Sequence, residues 1–255
     1  MKRRLVCVGM LCVLGMAAAC QAAPVTFSFC GCPIPRSASA TFQVVSGNNL
    51  QVTLTNTSLE NAMRPTGILE GLFWDITGSP ALTASSAVLP LGTTILFPPA
   101  DPIGEQWAYK QGLGAAGQPG GGQYGLGGAG FGVFGPGNCF IPQPPGPGAP
   151  PDGLNYGITT AGATEAFWPL PMLGPFIKKS IVFTLGGLPG GFDPSTSISN
   201  VWFQYGTAFD EPSYEGDTDP HPPATPEPLT VVGLLMGCGA LAGACRRRVR
   251  PSGAN

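Results

Sequence analysis

Glycine and proline interrupt this chain so often that a long helix has nowhere to form. Its 255 residues include 39 Gly and 29 Pro. Between residues 23 and 209 the longest stretch free of both is 48–64, 17 residues, and its first half alternates apolar and polar. In a helix interior glycine costs about 1 kcal/mol and proline about 3 kcal/mol, so the elements must be short and bounded by turns. Strand signals fill the intervals. Residues 24–29 place Val25, Phe27 and Phe29 on one face. Residues 38–45 and 50–55 flank the turn Ser46-Gly47-Asn48-Asn49 and predict a hairpin. Residues 68–76 read as a buried strand, 87–97 as one interrupted by Pro90 and Gly92, and 179–185 and 199–205 as two more. With no fixed 20–30-residue repeat to support a β-solenoid, the predicted fold class is all-β, with a β-sandwich-like body.

Residues 111–153 differ from the rest. From 112 to 153, 24 of 42 residues are Gly or Pro. The Gly-rich first part keeps Tyr124, Phe131 and Phe134 at intervals, and a Pro-rich part, 142–151, follows. Such a stretch buries too little apolar area to fold alone, which predicts a long surface loop or linker tacked to the sheets by its aromatics. Two Gly-x-Gly-x-x-Gly matches fall here: Gly112, Gly114, Gly117 and Gly125, Gly127, Gly130. A dinucleotide site needs a strand before and a helix after. Gly and Pro flank both matches, so composition explains them.

The two ends carry a different kind of information. Lys2, Arg3 and Arg4 precede the apolar residues 5–16, and small residues follow. That is the layout of an export signal, residues 1–22, cleaved after Ala22; lipidation at Cys20 is the rival. At the other end, Pro226, Glu227 and Pro228 precede an uncharged stretch, 229–244, and then Arg246, Arg247, Arg248 and Arg250. Sixteen helical residues span about 24 Å of a hydrocarbon core about 30 Å thick, short but sufficient with local thinning. A C-terminal transmembrane helix over 229–245 is therefore expected, with the arginines as a cytoplasmic stop. Basic residues at both ends place the middle outside the cytoplasm. Residues 210–223 are acidic and Pro-rich and read as an extended stalk. Residues 23–225 carry 5 basic and 13 acidic side chains, 5 − 13 = −8, which argues against nucleic acid as a partner.

Pro-Glu-Pro, apolar span and arginine run together resemble the PEP-CTERM sorting signal, here residues 224–250. The resemblance implies a bacterial protein of the Gram-negative type, handled by exosortase. Pro226, Glu227 and Pro228 would be the recognition motif, and the span would be removed on processing. Segments 104–110, 181–185 and 201–207 also look like parts of one family of exosortase-dependent surface proteins, a likeness that covers most of 38–212. It implies no activity, catalytic residue or cofactor.

Of 8 cysteines, Cys30, Cys32 and Cys139 remain in the body if Cys20 leaves with the signal. Outside the cytoplasm three cysteines predict one disulfide and a spare thiol, with Cys139 bridged to Cys30 or Cys32. A metal site at Cys30-Gly31-Cys32 lacks nearby partners, so no metal is expected. The single histidine, His221, sits between prolines in the stalk, where no nucleophile can be held against it. Glu70 with Asp75, or Asp101 with Glu105, have no cleft implied by their spacing, and Asp210, Glu211, Glu215, Asp217 and Asp219 lack the order of a calcium loop. Trp107, Tyr109 and Trp168 are candidates for stacking on sugars, weighed against ordinary core packing. The expected function is non-enzymatic: a surface or matrix protein exported by Sec, trimmed by signal peptidase, sorted by exosortase, and packed with exopolysaccharide. A carbohydrate-binding module and a secreted polysaccharide hydrolase are the alternatives.

Overall fold

Period-two alternation builds the first sheet. A computed structural model describes residues 22–31, 36–62, 64–97, 102–114, 116–165 and 174–218. Strands β1 (Val25–Gly31), β2 (Arg36–Val45) and β3 (Asn49–Asn56) run antiparallel. Ala38, Ala40 and Phe42 of β2 and Leu50, Val52 and Leu54 of β3 turn one way into the core. The expected hairpin between β2 and β3 is present, and Gly47 and Asn48 take φ of 79° and 54°, the left-handed backbone that a tight hairpin turn requires. β11 (Ser180–Gly186) joins β3, and β5 (Thr83–Val88) closes the five-stranded order β1-β2-β3-β11-β5.

The second sheet is centred on β4 (Leu69–Ile76). On one side β4 pairs with β12 (Ile198–Tyr205), which pairs with β13 (Ser213–Glu215). On the other it pairs with β8 (Tyr124–Gly127) and then β9 (Ile158–Thr159). β7 (Ala108–Gln111) extends from β8, while β10 (Phe176–Lys178) and β6 (Ile95–Leu96) extend from β9. All pairs are antiparallel except β9 with β10. The core lies between the two sheets: Phe42 meets Trp74 with ring centroids 5.7 Å apart, and Phe29 meets Phe203 at 5.3 Å. The chain changes sheets between β10 and β11 at Lys179, whose φ is 77°.

The Gly/Pro-rich stretch is more than a loop. It supplies β8, whose four residues are all buried. Its glycines are where aromatic rings lie: a Cβ on Gly125 would stand 2.8 Å from the Phe73 ring, and one on Gly127 would stand 2.6 Å from the Phe134 ring. Phe73 points away from the inter-sheet core, under Phe131, Phe134 and Phe209. Residues 128–139 therefore roof the outer face of β4, so this strand is buried on both sides. The linker expectation fails because the missing apolar area is contributed by β4 and β12 rather than by the stretch itself.

Two further expectations shift. Residues 87–97 divide into β5 and β6 around Pro90 and Gly92, because proline withholds a ladder donor. The predicted stalk begins inside the sheet: residues 213–215 form β13, and Asp217 exchanges two backbone hydrogen bonds of 2.9 Å with Ser28 of β1. Among the described residues no helix is long and apolar enough to cross a membrane. The segment 229–245, Pro226, Glu227, Pro228 and the arginines Arg246, Arg247, Arg248 and Arg250 lie outside the described residues, as do Cys32, Asp101, Trp168 and His221.

Candidate functional site

Glu70 occupies a break in two ladders at once. Against β12, Gly71 pairs with Gln204 and Leu69 with Tyr205, so Glu70 is the extra residue of a β-bulge. Against the other neighbour, Gly71 faces Gly127 of β8 while Leu69 faces Ile158 of β9. The partner strand thus changes at Glu70, and Gly128 N–H bridges the gap, donating to Glu70 O at 2.8 Å.

The carboxyl fills the slot this break leaves. A Cβ on Gly128 would lie 2.7 Å from Glu70 Oε2, and one on Gly157 would collide with the same carboxyl. Glycine at both positions is what makes room for the side chain. Glu70 is fully buried, and among the described residues neither carboxylate oxygen has a hydrogen-bond partner. Burial pushes its pKa well above the usual carboxylate range, and the nearby Glu211 carboxylate raises it further. Glu211 is held in place by the turn after β12, where its Oε2 accepts from the N–H groups of Thr207 and of Ala208, the latter at 2.9 Å.

A polar cavity of about 380 Å³ opens beside this slot. Two of its walls are the immediate neighbours of slot residues: Gln106 precedes Trp107, and Tyr156 precedes Gly157. Trp107 Nε1–H donates to Tyr156 O at 3.0 Å and ties the walls together. Gln106 ends the short helix α1 (Ile103–Gln106), and Tyr156 takes a φ of 62°. Glu105, Gln143, Asp152 and Asn155 add to the polar lining, with Asn155 Nδ2–H donating to Asp152 Oδ1 at 3.1 Å. Glu70 does not line the cavity. A second hollow of about 510 Å³ lies at the β2–β3 turn, against Pro189, Phe192 and Asp193.

The residues singled out from the sequence are dispersed. Trp107 is 0% exposed and packs on Phe183 with centroids 5.1 Å apart; Tyr109 is 7% exposed and its O–H donates to Gln111 Oε1 at 3.1 Å. Neither presents a face to a sugar, which corrects the stacking expectation for both: each sits at an inward position beside the inter-sheet core. Asp75 is turned away from Glu70, accepting from Asn200 Nδ2–H and from Gln123 N–H at 2.8 Å each. The expected bridge between Cys139 and Cys30 is not made. Cys30 is exposed on β1 at an edge of the first sheet, whereas Cys139 is a buried free thiol beside β7 under the outer roof of the second. Conversely, Gln106, Asp152 and Asn155 carried no signal of their own, because nothing local brings 106 near 152–156. Glu70 did carry one, as a charge between Leu69 and Gly71 in a mostly apolar run, 68–76, that also holds Asp75.

Burial, and secondarily Glu105, pushes the Cys139 thiol up to about 11. Its Sγ–H donates to Pro150 O at 3.5 Å. Iodoacetamide at pH 8 is expected to label Cys139 in the folded protein at least about a hundredfold more slowly than in urea, because the thiolate is the reactive form. Peptide mass spectrometry of pulse-labelled protein checks this; equal rates would contradict the burial.

Comparison with known proteins finds no match for this chain among family models, curated proteins or solved structures.

Proposed function

We propose that this chain is a non-enzymatic surface or extracellular-matrix protein, delivered by Sec and processed by exosortase through its C-terminal signal. One observation carries the proposal: the order Pro226-Glu227-Pro228, an uncharged span over 229–244, and Arg246, Arg247, Arg248 and Arg250, matched at the other end by Lys2-Arg3-Arg4 and an apolar run. Two basic ends retained in the cytoplasm leave the middle on the far side of the membrane. In this proposal the finer architecture is a β-sandwich body followed by a short acidic tether and a transient transmembrane helix, 229–245. After processing, the body acts by display or by packing with exopolysaccharide. The acidic body, with −8 over residues 23–225, suits a hydrated matrix and repels nucleic acid.

Mass spectrometry of surface-extracted protein tests the sorting step. The mature form is expected to begin at Ala23 and to yield no peptide C-terminal to the Pro-Glu-Pro region. Replacing Glu227 by Ala is expected to retain the arginine tail on the protein. An intact tail on the unaltered surface protein overturns processing and leaves a permanent anchor. Turnover of a polysaccharide, abolished by one Asp or Glu substitution, would overturn the non-enzymatic assignment.

A further inference from the structure

The polar cavity between α1 and the segment 152–156 has the chemistry of a site for an uncharged, hydroxyl-rich ligand. Its lining includes two carboxylates, Glu105 and Asp152, and three amides, Gln106, Gln143 and Asn155, beside Tyr156 and two prolines. Among the described residues no Lys, Arg or His lines it, so an anionic ligand would enter against two carboxylates with no counter-charge from them. Among the described residues no group of three or more His, Cys, Asp or Glu is placed to hold a metal ion, so the two carboxylates do not form a cation cage.

Gln106 points to a ligand more directly. It is 8% exposed, it lines the cavity, and its side-chain amide has no hydrogen-bond partner among the described residues. An amide set into the cavity wall with no such partner is free to hydrogen-bond whatever occupies the cavity. Its donor and acceptor stand side by side, which is the pattern that two adjacent hydroxyls on a ring complement. Gln143 spends its Nε2–H on Ile141 O at 3.2 Å, and Asn155 spends an Nδ2–H on Asp152 Oδ1, so both keep an amide oxygen for a ligand hydroxyl. Carboxylates that accept hydroxyl hydrogens complete such a set. The size agrees: about 380 Å³ lies in the lower part of the range of small-molecule sites, roughly 300–1,000 Å³. The walls are braced by the Trp107–Tyr156 hydrogen bond, so the shape exists before a ligand arrives.

We propose that this cavity binds one ring of a neutral saccharide, with Gln106 as the central bidentate contact and Glu105, Asp152 and Asn155 around it. The site differs from an aromatic stacking platform, and it stands or falls separately from the sorting signal.

The test is binding of the full-length chain, in detergent, to an array of oligosaccharides that pairs neutral glucans with uronic-acid-bearing chains, followed by titration of the best neutral hit. Neutral glycans are expected to bind and uronate glycans are not. Gln106→Leu is expected to weaken that hit at least about tenfold, the order of a lost hydrogen-bond pair. Asn155→Ala, nearer the rim, is expected to weaken it severalfold while leaving the thermal midpoint unchanged, which keeps the test valid if Gln106→Leu perturbs folding. Binding confined to uronates, binding of calcium or an alkylamine in place of any glycan, or no binding at all overturns the proposal. So does a neutral glycan whose affinity is unaffected by both substitutions, since its site would lie elsewhere.

Discussion

Glu70→Gln is expected to stabilise the folded protein increasingly as pH rises, with little effect in acid. The folded carboxyl has a pKa raised well above its ordinary value of 4.5, by burial first and by Glu211 second. In the unfolded chain the group ionises near that ordinary value. Between the two pKa values the folded state holds a proton that the unfolded state has released, so folding stability falls with rising pH. The slope reaches about 1.4 kcal/mol per pH unit, a factor of ten in the unfolding equilibrium. Glutamine has nearly the same shape and no proton to lose. Urea unfolding of both forms from pH 4 to pH 9 should therefore give coincident stabilities at the acid end and curves that separate above it. Parallel curves would show that Glu70 ionises in the folded state as freely as in the unfolded chain.

The second large effect concerns Trp107. Its ring is fully buried against Phe183 and its Nε1–H is committed to Tyr156 O. Trp107→Ala removes a large aromatic from a packed interior, a loss of about 3–5 kcal/mol, and orphans a carbonyl at a further cost of about 1 kcal/mol. Against a total domain stability of about 5–15 kcal/mol this is severe. For a body of this size the thermal midpoint should drop by roughly 10 °C or more. Trp107→Phe keeps most of the ring, so it should recover most of the loss. An exposed sugar-stacking tryptophan would behave in the opposite way, losing binding with its melting temperature intact. Scanning calorimetry of the two variants separates these outcomes, and an unchanged midpoint for Trp107→Ala would contradict its place in the core.

Much of the first sheet was readable in advance. The alternation in 38–45 and 50–55 and the Ser46-Gly47-Asn48-Asn49 turn are local, and they define β2, β3 and their hairpin without help from distant residues. β4, β11 and β12 were readable for the same reason, as apolar runs bounded by turn residues. The short strands were not. Tyr124-Gly125-Leu126-Gly127 has two glycines in four positions, which weaken any strand propensity of its own. It becomes β8 because β4 and β7 pair with it on either side, and because Phe73 and Phe134 cover its glycines. β9 and β10 are two and three residues long, below the length at which alternation can be recognised. In the candidate site, residue types were visible but their neighbours were not. The meeting of Gln106 with Asn155 and Tyr156 depends on β7 and β9 both being carried to the flank of β4.

By itself, the sequence determined that the body would be built from short strands, because Gly and Pro at this density leave no run on which a helix can propagate. It also determined the order of charged and apolar blocks at the two ends, a one-dimensional property that needs no fold. Tertiary structure alone decided which polar side chains would be buried and which aromatics would be hidden. Glu70 is held against ionisation in its slot because a bulge and two glycines close around it, and Trp107 faces inward because β7 is drawn beside the first sheet's Phe183. Both outcomes follow from pairings between residues far apart in the chain, and such pairings leave no periodic trace in the sequence between them.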